Sequence, residues 1–291
     1  MWGRVHRWWS ERSERAALSR RAIPDALWRR TLKRFPFLPA GTPEELALRR
    51  LTSLFLDRKE FTGAQGLVIT DDMAVAIAAQ ACLPILNLGL EHYDRFVGIV
   101  VHPGQAVVRR SIQDDDGIVH EYDDVLSGEA VDDGPVMLSW RDVRAAGASA
   151  QRGYNVVIHE FAHVLDMGNG LADGIPALPT HMDPTRWIQA LSAAHEALTQ
   201  RVEAGESTAI DPYASDSIQE FYAVATEAFF VSPQDLAQEC PVVFDLLGQF
   251  HGGPSAPAQR PTPAAPPGPW GIEPAVHTGA VSALGLSLRA G

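Results

Sequence analysis

His159 and His163 stand four residues apart, with Glu160 between them, in the run VVIHEFAHVLD from Val156 to Asp166. Residues four apart on a helix share a face, so both imidazoles can converge on one ion while Glu160 lies near its open side. Zinc suits such a pair, because it takes neutral imidazole nitrogen and in catalytic sites keeps a fourth position open. Water bound there ionises near neutral pH, and a neighbouring carboxylate can take its proton and hand it to a leaving amine. His-Glu-x-x-His is the spelling of that arrangement in zinc peptidases. Five letters also arise by chance in long chains, so the surroundings decide. Val156, Val157, Ile158, Phe161, Ala162, Val164 and Leu165 fill the rest of the run. A solvated helix face would not ring its polar residues with apolar ones, and unpaired buried His and Glu are costly. The context favours a metal helix.

Two histidines are too few, since a catalytic zinc takes three protein ligands. The best downstream region is DPYASDSIQEFYAVATEAFF, where Glu220 and Glu227 interrupt an apolar and aromatic surface. They are seven residues apart and fall on one helix face. One of them can ligate the ion while the other orients a histidine by a hydrogen bond, and spacing alone leaves the assignment open. Asp166, three residues after His163, is a further candidate for orienting a ligand. His92, His102, His181 and His195 lack a partner at ligand spacing and read as structural or solvated. By spacing alone His120, in a strand flanked by acids, also reads as a surface residue. Tyr213, following Pro212, reads as a turn residue packing its ring.

The elements that must position these residues follow from periodicity. PDALWRRTLKRF and TPEELALRRLTSLFLDRKEF carry one apolar face each and read as helices, the second starting at Thr42 or Pro43 with Glu45. GLVIT reads as a short strand, and DDMAVAIAAQACLPIL as a buried helix ended by Pro84. FVGIVVHPGQAVVRR reads as strand, turn, strand, and GIVHEYDDVLSG and GPVMLSW are two further strand candidates. GPVMLSW, Gly134 to Trp140, is the expected edge strand on which a peptide could pair. After Trp140 the pattern turns helical. Helices around a small, mostly antiparallel sheet make an α+β layout. The expected division is a basic helical region over 1–60, a main domain over 61–251 and a disordered tail over 252–291. Eight prolines between Pro254 and Pro274, among Gly, Ala and Ser, support the last of these.

Composition narrows the class of function. Hydrophobic residues make up 46% of 291, enough for a sizeable core. Cys82 and Cys240 fit no paired spacing and read as reduced core thiols. No apolar run is long enough to span a bilayer, and no signal-peptide pattern follows the basic start, so a cytoplasmic protein is expected. Residues 1–34 hold ten Lys/Arg against three Asp/Glu, a local +7; the net −12 then leaves −19 for the remainder. A body that acidic argues against nucleic acid as a partner. Trp2, Trp8 and Trp9 among arginines could touch an anionic membrane surface, but a basic helix lying on the acidic body is the better reading.

Four stretches carry a resemblance: TDDMAVAIAAQACLPILNLGLEHY, GIVHEYDDVLSGEAVDDGPVMLSW, GYNVVIHEFAHVLDMGNG and YASDSIQEFYAVATEAFF. From about Pro24 to Phe250 the chain resembles the Mlc titration factor A family of zinc metallopeptidases, similar in its active site to the anthrax lethal factor protease. The resemblance implies a zincin-like domain in which His159, His163 and Glu220 bind one zinc ion and Glu160 is the general base. It makes Glu227 the residue that orients a histidine, gives the Tyr213 hydroxyl an oxyanion-stabilising role, and points to His120 as an additional metal contact. It also implies an aminopeptidase-type activity on small peptides in the cytoplasm, and binding of the glucose repressor Mlc. The competing reading is a non-catalytic, zinc-containing protein that sequesters a transcription regulator. A purely structural zinc is closed by four protein ligands and needs no base beside it.

Overall fold

The computed structural model describes residues 12–104, 106–113, 119–126, 128–130, 134–150 and 153–252; for 106–113, 119–126 and 129 the description is of backbone alone. The basic start, residues 1–11, and the expected tail beyond Gly252 lie outside the described residues. Helix α1 covers 12–20, followed by α2 (Asp25–Arg34), α3 (Pro43–Arg58), β1 (Glu60–Gly63), α4 (Asp71–Cys82) and β2 (Gly98–His102). Next come β3 (Ala106–Gln113), β4 (Val119–Leu126), β5 (Gly128–Ala130), β6 (Val136–Ser139) and α5 (Trp140–Ser149). The remainder is helical: α6 (Val156–Asp166), α7 (Pro184–Glu203), α8 (Ile218–Val231), α9 (Pro233–Glu239) and α10 (Pro241–His251). No described helix is long and apolar enough to cross a membrane.

The main sheet has the order β1-β2-β6-β5. β1, β2 and β6 run parallel, and β5 alone is antiparallel, to β6. This corrects the expected antiparallel sheet. Parallel neighbours need long crossovers, and here α4 lies between β1 and β2 while the β3–β4 hairpin lies between β2 and β6. The β3 and β4 strands pair with each other as a separate antiparallel ribbon. Thus β2 and β3, adjacent in sequence across a turn, belong to different sheets. Two local expectations also change. Gly66–Thr70 carries no strand pairing, and the strand is instead Glu60–Gly63, where the second helix was expected to continue. β6 is bonded on both sides, so GPVMLSW is no edge strand.

Register puts Ile99 beside Val136 and Val101 beside Leu138, and all four are buried. Gly128 pairs with Leu138 in the same row, which sets the face of β5 that meets helix α6. Caps fix where the helices around the site begin. The side chains of Thr70, Asn155 and Ser217 accept backbone N–H groups at the starts of α4, α6 and α8. On α6, Phe161 inserts into an aromatic cluster, with ring centroids 5.0 Å from Tyr93, 5.6 Å from Phe96 and 5.8 Å from Phe55. Burying such rings holds α6 in place next to Glu160. Beside the cluster the buried Lys59 ammonium donates to the carbonyls of Tyr93 and Phe96, and burial lowers its pKa to about 8.

The C-terminal helix is locked by His251. Its ring is 3% exposed and packs against Phe229, Phe230 and Phe250. Its Nδ1–H donates to the Pro84 carbonyl at 2.8 Å. Burial lowers its pKa to about 4, against an ordinary value near 6.5. Between these values the unfolded chain binds the proton and the folded chain does not, so stability falls as pH drops from about 6.5 towards 4. At about 1.4 kcal/mol per pKa unit, the loss from this group is on the order of 3 kcal/mol. Denaturant titrations at neutral pH and near pH 5 should show a smaller acid loss for His251→Gln than for the native chain. Equal losses would remove His251 from the account.

Candidate metal centre

Helix α6 places His159 and His163 one turn apart, and their Nε2 atoms lie 3.1 Å from each other. From α8, Glu220 Oε2 comes to 3.1 Å from His159 Nε2 and 3.4 Å from His163 Nε2. Among the described residues this is the group of donors placed to hold a metal ion. His159 Nδ1 faces Glu227 Oε1 at 2.5 Å and must carry the proton of that contact. Its Nε2 is thereby the nitrogen that faces the other two donors. Without an ion, imidazole protons bridge these contacts to the Glu220 carboxylate; with one, all three atoms would turn lone pairs to it. Zinc–nitrogen and zinc–oxygen bonds of about 2.0–2.2 Å in tetrahedral geometry space adjacent donors roughly 3.3 Å apart. The observed triangle, 3.1 to 3.4 Å on each side, fits that ion.

The sequence of α8 carries a competing signal. Ser217 with Glu220 three residues on spells a capping box, in which the glutamate would turn back to the helix start. Ser217 does accept the Glu220 N–H at 3.2 Å, but the Glu220 carboxylate is directed at the histidines. Glu227, 1% exposed, uses both oxygens, one for His159 and the other for the Asn155 N–H at 2.6 Å. The two glutamates left open by spacing thus separate by geometry: Glu220 sits among the donors and Glu227 behind them.

The electrostatics follow. Burial pushes the His159 imidazole down, but Glu227 and Glu220 outweigh it and carry its pKa well above the ordinary value. Burial would raise Glu220, yet hydrogen bonds and charge attraction from His159 and His163 hold it well below the usual carboxylate range. Glu160 is 3% exposed, and burial raises its pKa to about 7, the two histidines opposing. A carboxylate so placed exchanges protons near neutral pH.

Tyr213 lies on a short 3₁₀ turn, Pro212–Ser215, whose Tyr213 N–H is held by Asp211 at 3.0 Å. Its ring centroid is 6.3 Å from that of His159, which brings it to the site. Asp166 is fully buried, but its Oδ2 accepts the Gly174 N–H at 2.9 Å, so it ties down the following loop. His120 lies in β4 opposite Ile112, and its side chain is outside the described residues. His195 reaches the Ser215 carbonyl at 3.3 Å and supports the Tyr213 turn.

Sequence reasoning passed over one neighbour of Glu160. A Cβ added to Gly128 would lie 2.3 Å from Glu160 Oε1 and 2.5 Å from its Cγ. The backbone of β5 therefore rests directly on the Glu160 side chain. Nothing local in VLSGEA marks this glycine, because the contact is made across the sheet.

Residues 6–251 match the model of the glucose-regulated metallo-peptidase M90 family. The chain belongs to this family. Among relatives, a Synechocystis protein is 35% identical over 254 residues, covering 86% of this chain and 91% of its own. Mlc titration factor A of Serratia proteamaculans is 37% identical over 216 residues, covering 73% and 81%. Mlc titration factor A of Salmonella enteritidis is 36% identical over 242 residues, covering 82% and 89%. The shared family is one of metallopeptidases, and this M90 chain carries a His/Glu donor set of the kind a metal ion needs.

The geometry separates the two glutamates experimentally. Glu220→Ala should empty the site under chelator competition, whereas Glu227→Ala should weaken binding by about 10–100-fold, as expected for a partner that orients a ligand. The reverse order would exchange their places.

Proposed function

We propose that this M90 chain is a zinc-dependent peptidase in which Glu160 moves the proton. The reading is carried by one observation: three converging donor atoms with a buried carboxylate next to them and a neighbouring tyrosine. His159, His163 and Glu220 would hold the ion, with Glu227 fixing the tautomer of His159. When bound, the ion would supply Lewis-acid polarisation of the scissile carbonyl and would make water acidic enough to lose a proton near neutral pH. Glu160 accepts that proton and returns it to the amine that leaves. The Tyr213 hydroxyl donates to the developing oxyanion. The substrate class is a peptide, paired along β5, which among the described residues is bonded on one side only and rests on Glu160. An aminopeptidase-type preference and a cytoplasmic setting are the finer form of this proposal, supported by the family resemblance.

A second property is compatible with the first. The relatives named Mlc titration factor A support binding of a repressor similar to Mlc. Surface recognition of that kind does not require Glu160, so the two properties separate by substitution.

Glu160→Gln should keep the fold and the metal and lose about 10²–10⁴-fold in peptide hydrolysis. Tyr213→Phe should lose about 10²–10³-fold. Repressor binding, measured in parallel, should survive in both. Hydrolysis at the native rate by Glu160→Gln would leave the binding reading alone standing. Gly128→Ala should push Glu160 aside and cost about 10²-fold in kcat with metal content unchanged, since a displacement near 1 Å is enough. Unaltered kcat in that variant would show that the strand does not position the base.

A further inference from the structure

The hydrogen bonds behind the metal centre do not stop at Glu227. They continue through Asn155 to Gln80 on α4, a helix that supplies no donor to the site. We propose that Gln80 is a positioning residue for His159, acting through Asn155 and Glu227. The inference rests on the reading that His159 holds the metal ion.

Gln80 is the one polar residue in MAVAIAAQAC, from Met73 to Cys82, and is fully buried. An amide there is destabilising unless both ends are bonded. Its Nε2–H donates to the Ala76 carbonyl one turn back at 2.9 Å, which turns Oε1 away from its own helix. Oε1 then accepts the Asn155 Nδ2–H, also at 2.9 Å. That contact fixes which way the Asn155 amide faces, because Asn155 Oδ1 must accept the Ile158 N–H at 3.0 Å to cap α6.

The backbone of Asn155 is committed as well. Its N–H donates to Glu227 Oε2 at 2.6 Å, and its carbonyl accepts the His159 N–H at 3.0 Å. With the 2.5 Å contact between Glu227 Oε1 and His159 Nδ1, the three residues close a ring. Gln80, Asn155, His159 and Glu227 are all 3% exposed or less, so water does not substitute for any member. Capping alone does not account for the Asn–Gln pair. Aspartate would cap α6 equally well but would set a second oxygen against Gln80 Oε1. The amide pair fits a demand for one orientation at the foot of the ring. Gln80 thereby joins α4 to α6 and α8, the two helices that carry the donors.

The test is a double-mutant cycle on the full chain, read as the zinc dissociation constant by chelator competition. Gln80→Met keeps length and removes both polar ends. Asn155→Ser keeps a capping hydroxyl and removes the amide donor. Each should weaken zinc binding by about 10-fold or more, the range for groups that orient a ligand. The double variant should be no worse than about threefold beyond the weaker single, because both changes cut one chain of contacts. The visible spectrum of the cobalt-substituted protein should change in the same variants, which a loss of general packing would not produce. Native affinity and an unchanged cobalt spectrum in a folded Gln80→Met protein would overturn the inference, as would losses that add in the double variant. If Gln80→Met alone fails to fold, with Asn155 Nδ2–H left unpaired, the double variant lacks that donor and decides: native affinity there overturns the proposal. A native chain that binds no zinc would instead bring down the metal reading itself.

Discussion

Two imidazole nitrogens and a carboxylate oxygen held 3.1–3.4 Å apart are the constraint on which the rest of this structure turns. Polar groups removed from water need partners: without an ion, protons on the imidazole nitrogens must bridge these three atoms to one another, and with one all three turn their lone pairs to it. A divalent cation would make the same arrangement favourable. Everything that brings α8 against α6 therefore acts on the metal site as well as on the fold. The Ser217 cap starts α8 where Glu220 can face the histidines, and Glu227 reaches His159 two turns later.

The packing serves the same end. Phe161 follows Glu160 directly in sequence and is enclosed by Phe55, Tyr93 and Phe96, so α6 has little freedom to rotate. Close-packed interiors transmit small displacements, so this cluster sets where Glu160 lies. On the other side β5 approaches so closely that a Cβ at 128 would displace the Glu160 side chain. The sheet and the aromatic cluster therefore hold Glu160 between them, and substitutions in either would move Glu160 as well as change stability.

The helix that brings His159 and His163 together was legible in the sequence because its signal is local: a four-residue period inside an apolar run survives any tertiary arrangement. Glu220 and Glu227 were legible as a pair but not as individuals. They share a helix face, and only the placement of α8 against α6 sends one to the donors and the other behind His159. Sheet topology was misread for a related reason. Strand sequences report burial and length, whereas partner choice depends on crossovers, so β2 and β3 seemed a natural hairpin and β6 a natural edge. Gly128 and Gln80 left almost no trace. A glycine after a strand and one amide in an alanine-rich helix are ordinary until the contacts across the fold are known.

Whether the site does chemistry or only holds the protein together turns on Glu160. A structural ion needs donors and nothing else nearby, and a carboxylate buried to 3% beside it adds a destabilising group. Burial carries that carboxyl to a pKa of about 7, the two histidines opposing. The glycine facing it leaves room for the carboxylate and for little else. Groups kept at the expense of stability are expected where function requires them, and Glu160 with Gly128 is such a pair. A binding surface alone gives no reason for a carboxylate buried beside the donors, and that is the observation behind the peptidase proposal.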